Sequence, residues 1–312
     1  MRLVSKRAAA GVMAVAAVIV CAAGVWAVEF DNWRVVRNVA ALAPGANAAL
    51  NTPANEGCPA ISRDGLSMFL ASNRDGTLDV WRTRRESAAQ PWGAPEKLPV
   101  AINKPDSNEF CPTPLSDGQS LLFVSNKAGG CGAGDIYITS EYFGLGWTEP
   151  VHLPCTVNSA GDEASPFLVD YDDGTVELYF SSTRAGGFST AAPDTDADIY
   201  YTTLRRDRSF GAVLLVPNVN TASNDVRPNV RRDGLEIFFD SDRPGSRSLD
   251  VWSATRNTPA QEWRQPVPVE AVNSDGAETR PFLSADGTQL YFGTTREGQQ
   301  DLWVATRPVT AR

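Results

Sequence analysis

Apolar residues along this chain come in short runs of four to eight, rich in Val, Ile, Phe, Tyr and Trp, and each run is bounded by turn-forming residues. The segments 55 to 85 (NEGCPAISRDGLSMFLASNRDGTLDVWRTRR) and 108 to 140 (NEFCPTPLSDGQSLLFVSNKAGGCGAGDIYITS) show the pattern, and its period is that of extended chain. Asp-Gly pairs fall between successive runs; both central positions of a two-residue hairpin turn need positive φ, which Asp tolerates and Gly prefers. No stretch carries helical periodicity, so the reading is all-β.

The pattern repeats. Prolines at 59, 112, 166, 228 and 281 are spaced by 53, 54, 62 and 53 residues, and three residues before each stands an acid: Glu56, Glu109, Glu163, Asp225 and Glu278. Five or six positions before each acid is an asparagine: Asn51, Asn103, Asn158, Asn220 and Asn273. After each Asp-Gly an apolar stretch ends in a base, Arg74, Lys127, Arg184, Arg243 or Arg296, and then an aspartate opens a third run (Asp79, Asp135, Asp198, Asp250, Asp301). A last aromatic, Trp92, Trp147, Phe210 or Trp263, opens a fourth segment. Units of four strands at a period near 50 predict propeller blades. The fifth copy stops after its third strand, and the segment from Trp33 to Val39 resembles an isolated fourth strand. Pairing the two chain ends in one blade removes an exposed edge, so a five-bladed ring closed by the N-terminal strand is expected over 28–312.

The combination of Glu-x-x-Pro, an Asp-Gly turn, a Ser-Asn-Arg-like strand end, an Asp-Ile-Tyr-like third strand and a Trp-x-x-Pro fourth strand resembles the TolB-type, WD-repeat-like propeller repeats of bacterial envelope proteins, from about Trp33 to Arg307. The family's Pro-Asp-Gly turn is replaced here by Arg63-Asp64-Gly65, Ser116-Asp117-Gly118 and similar triplets. The resemblance implies a binding platform that needs no cofactor; only some relatives are enzymes.

The first 27 residues set the expected location. Arg2, Lys6 and Arg7 precede an uncharged run from Ala8 to Ala27 that ends Val25-Trp26-Ala27, the pattern of a secretory signal with a small residue at the cut. An uncleaved anchor, displaying the ring as a sensor head, is the competing reading. Val20 before Cys21 speaks against lipidation. Both readings place the ring in the periplasm or outside the cell, with membrane contact only through an uncleaved leader. The whole chain carries a formal charge of −9. Without the leader 25 basic residues face 37 acids, a formal charge of −12, which repels phosphate backbones. Nucleic acid is therefore not an expected partner; a protein or glycan of the cell envelope is, with the chain itself expected to be a monomer.

Four cysteines follow the leader. Cys131 precedes the third strand of blade 2 and Cys155 follows its fourth, neighbouring positions in an antiparallel pair, so a disulfide between them is expected. Cys58 and Cys111 hold equivalent places in adjacent blades; symmetry turns them the same way, and they read as small buried residues like Ser165.

In an A–B hairpin the start of strand A lies beside the end of strand B, so the acids and bases are expected on one rim. There they read as structural pairs, half exposed and individually weak, that fix register: Glu56, Glu109, Glu163, Arg74, Lys127, Arg184, Arg243 and Arg296. Function is expected where the repeat breaks. Arg227 and Arg280 stand where the first blades have cysteines. Counting back from Asp233-Gly234 sets Arg227 opposite Asp240, an acid without counterpart in other blades, and the same count sets Arg280 opposite Gly293, facing the channel mouth. Arg280, Glu278, Arg227, Asp225, Asp240 and Asp242 form the candidate ligand site. The longest loop of blade 3 contains Asp194, Asp196 and Asp198, a weak candidate for calcium without the glycine and distal glutamate of a calcium loop; no metal is expected. The single histidine, His152, lies on an outer strand, away from the acidic rim, so neither a Ser-His-Asp triad nor a Cys-His pair assembles. No catalytic residue is assigned. The expected function is non-enzymatic binding; the alternative is a propeller glycoside hydrolase or polysaccharide lyase, which needs two opposed channel carboxylates.

Overall fold

The computed structural model describes residues 28–171, 173–188 and 196–310; the leader and Asp194 lie outside them. Five four-stranded antiparallel sheets form the blades. From axis outward, blade 1 is Glu56–Ile61, Ser67–Asp75, Thr77–Arg84 and Glu96–Lys97; blade 2 is Glu109–Pro114, Ser120–Ser125, Asp135–Tyr142 and Val151–His152. Blade 3 is Glu163–Asp170, Val176–Ser182, Asp198–Leu204 and Leu214–Leu215, and blade 4 is Asp225–Val230, Glu236–Ser241, Asp250–Thr255 and Val267–Pro268. Blade 5 takes Glu278–Leu283, Gln289–Thr294 and Asp301–Thr306 from the C-terminal end and its outer strand, Arg34–Asn38, from the N-terminal end, with Arg37 opposite Val304. Each innermost strand touches those of the two neighbouring blades, and the fifth meets the first, so the ring closes.

The second strand of each blade is sandwiched between neighbouring sheets. This is why Leu121–Val124, Leu178–Ser181 and Ile237–Asp240 are buried without a break, where a sheet with one wet face would alternate. The outer strands of blades 1 to 4 are only two residues long, shorter than the aromatic-led segments the sequence predicts; short edges offer little to a foreign strand. Trp92 and Trp263 precede these strands and sit buried in the core under Arg85 and Arg256, whose guanidinium carbons lie 4.1 and 4.0 Å from the ring centres.

The repeated asparagines staple each blade to the next. Asn103 accepts from Val80 N–H at 2.9 Å and donates to Val80 C=O at 2.9 Å, imitating a strand partner. Asn158 does this to Ile136, Asn220 to Ile199 and Asn273 to Val251. Asn51 does it to Leu302, joining the first blade's entry to the last blade. Arg307, just after the third strand of blade 5, clamps that blade to blade 4: its Nη1 and Nη2 meet both oxygens of Glu236 at 2.8 and 2.7 Å, and its guanidinium carbon lies 4.1 Å from the Phe30 ring centre.

The Cys131–Cys155 disulfide is present, with Cα atoms 5.8 Å apart. It ties the entry of blade 2's third strand to the segment after its two-residue outer strand. Closing a 24-residue separation, it is expected to contribute about 3 kcal/mol through the unfolded state. The Cys131→Ser/Cys155→Ser pair should lower the thermal midpoint accordingly in differential scanning calorimetry while the far-ultraviolet circular dichroism stays that of a β-protein.

Candidate functional site

The five rim acids are completely buried, with Glu56, Glu109, Glu163, Asp225 and Glu278 all at 0% exposure. They are therefore not the half-exposed, weak pairs that strand geometry alone predicts. Glu278 takes the Ser274 N–H at 2.8 Å, the Ser274 and Thr294 hydroxyls at 2.5 and 2.7 Å, and Arg296 Nη2 at 3.1 Å. Glu56 pairs with Arg74, Glu163 with Arg184 and Asp225 with Arg243 in the same way. Each of these arginines also donates to a backbone carbonyl of the linker entering its blade and lies over the aromatic of the third strand, Trp81, Tyr200, Trp252 or Trp303. Blade 2 departs from the set: Lys127 Nζ lies 4.1 Å from the Tyr137 ring centre, and Glu109 is held by Lys104 N–H and the hydroxyls of Ser107 and Ser125.

The six residues proposed as a ligand site do not gather. Asp225 and Glu278 belong to the buried rim clusters, and Asp242 accepts from Asn224 N–H and Nδ2 at 2.9 and 3.1 Å on the exposed linker. Arg227, Arg280 and Asp240 do meet, at the axis. Arg227 Nη1 donates to Asp240 Oδ2 and the Arg280 backbone N–H donates to Asp240 Oδ1 at 2.9 Å.

A backbone irregularity brings them there. In every blade the innermost strand holds one extra residue just before its proline, and Cys58, Cys111, Ser165, Arg227 and Arg280 all adopt positive φ, between 50° and 60°. The bulge shifts the register, so Asp240 lies opposite Val226, not Arg227, and Gly293 opposite Thr279, not Arg280. A non-glycine residue in this region is strained, and a bulge re-aims its side chain. Here it aims all five at the axis, where with their prolines they line a narrow cavity of about 30 Å³.

Within it, Cys111 N–H points at Cys58 Sγ at 3.3 Å, the Ser165 hydroxyl at Cys111 Sγ at 3.2 Å, and Arg280 Nη1 contacts both sulfurs. Cys58 and Cys111 are thus small and buried but turn toward one another, contrary to the sequence expectation. Burial pushes the Asp240 carboxyl up against the pull of Arg227. Burial and the Cys111 thiol push Cys58 up. At Cys111 burial is outweighed by hydrogen bonding from Cys58, the charge of Arg280 and the Ser165 hydroxyl, which bring its thiol down to about 5.

On the Asp-Gly-turn face the channel widens into a mouth of about 100 Å³, whose walls include Arg63, Leu115, Phe167, Asp170, Arg232 and Phe282. Phe167 and Phe282 line both cavities and meet edge to face with centres 5.8 Å apart, forming the neck between them. Arg63 and Arg232 are exposed, and among the described residues neither meets a carboxylate. Both arginines immediately precede an Asp-Gly turn, in blades 1 and 4 only, a position that reads in the sequence as turn chemistry and carries no signal of a binding face.

His152 lies on the outer strand of blade 2 as expected, but close to a repeated acid. Its Nε2 lies 3.5 Å from Asp135 Oδ2, one of the repeated aspartates, and 3.8 Å from Cys131 Sγ. The three residues have metal-ligand spacing, but Cys131 is spent in the disulfide and a disulfide sulfur is no thiolate ligand. Asp198 opens the third strand of blade 3, is buried and accepts from Phe188 N–H at 2.5 Å.

No family model and no curated protein matches the chain. Solved structures do. An α-L-arabinofuranosidase from Lactobacillus brevis superposes with a TM-score of 0.59 at 10% identity, covering 84% of this chain and 93% of that one. An endo-arabinase from Bacteroides thetaiotaomicron gives 0.53 at 17%, covering 82% and 94%. TolB from Acinetobacter baumannii gives 0.49 at 16%, covering 83% of this chain and 56% of that one. Identities this low establish shared fold alone, and the fold is a five-bladed β-propeller.

Proposed function

We propose that the chain is an exported, non-enzymatic binding module that takes a protein or glycan of the cell envelope at the turn-face mouth of its channel. The observation that carries this reading is the lining of the axial cavity: two thiols, two hydroxyls, an amide, two guanidiniums, two phenyl rings and prolines, with no carboxylate among the described residues. Hydrolysis of a glycosidic bond by the usual route needs two carboxyl groups flanking it, about 5 to 9.5 Å apart. Asp240, buried beside the axis, has both oxygens taken by blade contacts. The rim acids Glu56, Glu109, Glu163, Asp225 and Glu278 are enclosed and hydrogen-bonded to their own blades. What remains open is a largely apolar funnel that carries Arg63 and Arg232, neither meeting a carboxylate among the described residues, and the single acid Asp170; it suits a partner that offers carboxylates or other anionic groups beside apolar surface. Export rests on the leader pattern and on a disulfide, which persists in oxidising compartments; among the described residues no helix is long and apolar enough to cross a membrane.

The alternative, a glycosidase or lyase, draws support from the shared fold with arabinan-active enzymes, and fold alone does not confer chemistry. Immobilised protein and its Arg63→Ala/Arg232→Ala form, probed on an array of envelope glycans and with a solubilised envelope extract, separate the outcomes. The expected result is a retained partner lost from the double variant and weakened by salt. Equal retention by both forms would remove the mouth from the proposal.

A further inference from the structure

We propose that Cys58 and Cys111 are a reversible dithiol/disulfide pair at the axis, joining blades 1 and 2, in which Cys111 is the attacking thiolate and a low-molecular-weight disulfide is the oxidant. The two cysteines come from adjacent innermost strands, turned inward by the same bulge. Cys58 Sγ lies within 3.3 Å of Cys111 N, and the two sulfurs share one guanidinium nitrogen of Arg280. Both are free thiols in a chain whose other pair is already joined.

Charge explains which sulfur reacts. The groups facing Cys111 are the Cys58 thiol, the Ser165 hydroxyl and the guanidiniums of Arg280 and Arg227. Asp240 compensates one of the two arginines through Arg227. One positive charge is then left in a water-poor cavity, and the Cys111 thiolate is the internal anion that balances it. This is the electropositive setting in which a thiol becomes a nucleophile. Cys58, pushed up by burial, stays protonated beside it.

In the first step the Cys111 thiolate attacks one sulfur of R–S–S–R, forming Cys111–S–S–R and expelling RS⁻ with the bonding pair. In the second, Cys58 gives its proton to the departing thiolate or to water and attacks the Cys111 sulfur, expelling the second RS⁻. Two protein thiols are oxidised to one disulfide, and the oxidant is reduced to two molar equivalents of thiol. Arg280 then loses its thiolate, so oxidation leaves the channel one charge more positive.

The test uses the full mature chain, with iodoacetamide for labelling and cystamine as the oxidant, each followed by peptide mass mapping. Labelling of Cys111 should keep its rate as pH falls through 7, with a midpoint well below the free-thiol value of about 8.5, while Cys58 stays unlabelled until the protein is unfolded. Arg280→Lys, which keeps a cation, should shift that midpoint only modestly; Arg280→Met should move it toward the ordinary thiol range. Cystamine should consume both thiols and give a mapped Cys58–Cys111 link that dithiothreitol reverses. Cys58→Ser should trap the cystamine adduct on Cys111, and Cys111→Ser should leave Cys58 unmodified. Two thiols that survive cystamine in the native protein and react on unfolding would overturn the proposal. So would an ordinary labelling midpoint at Cys111, or an adduct trapped first on Cys58.

Discussion

Glu278→Ala is expected to destabilise the ring by about 3 to 5 kcal/mol, the range for removing one partner of a buried ion pair. The carboxylate has no exposure and satisfies a backbone N–H, two hydroxyls and Arg296. Its loss removes the acceptor of all four donors at once, and Arg296 keeps the Thr294 hydroxyl, the Val272 carbonyl and its contacts with Phe292 and Trp303 but no counter-charge. Lys127→Ala in blade 2 provides the contrast. Lys127 makes no ion pair with Glu109 among the described residues and rests on Tyr137, so its removal should cost only about 0.5 to 1 kcal/mol, the worth of a partly exposed cation–π contact. Urea titrations of the two variants, compared at equal m-value, measure the difference. Similar losses would mean that the acids are not the anchors of the blades.

The second large effect is expected at the axis. Asp240→Ala strips the counter-charge from Arg227 and the acceptor from the Arg280 backbone N–H in a fully buried position. Removing a buried pair partner again predicts a loss of about 3 to 5 kcal/mol. An Arg227→Met/Asp240→Leu double change, which removes both charges, should recover much of it, because a buried pair replaced by apolar groups of similar volume is often neutral. A double variant no more stable than Asp240→Ala would show that Asp240 acts chiefly through Arg280 N–H.

The architecture was legible because it is written five times. The Asp-Gly turns, the buried second strands and the Asp-aromatic third strands each encode a local geometry, and the missing fourth strand of the last copy pointed to the N-terminal segment that fills it. The asparagines were equally visible as a repeat, yet their role was not, since a side chain acting as a strand partner spans two blades and has no signature within one. The axial site was misplaced for a specific reason. Counting register from the turn assumes an unbroken ladder, and the residue before each proline breaks it; Arg227 and Arg280 were therefore set one place wrong. Equivalence was also read the wrong way for Cys58 and Cys111. Side chains that point alike in each blade's own frame converge when every blade points at one axis. The signal was present in the five residues before the prolines, Cys, Cys, Ser, Arg and Arg, the least repeated column within a strongly repeated motif.

The proposed binding without turnover at the arginine-flanked mouth is tested most directly by incubating the protein and its Arg63→Ala/Arg232→Ala form with envelope polysaccharide and peptidoglycan fractions, while following retention and the release of low-mass sugars in the same samples. The expected result is a fraction that the native chain holds, the double variant does not, and neither degrades. Sugar released by the native chain and abolished by Asp240→Asn, in a variant that still folds, would contradict it.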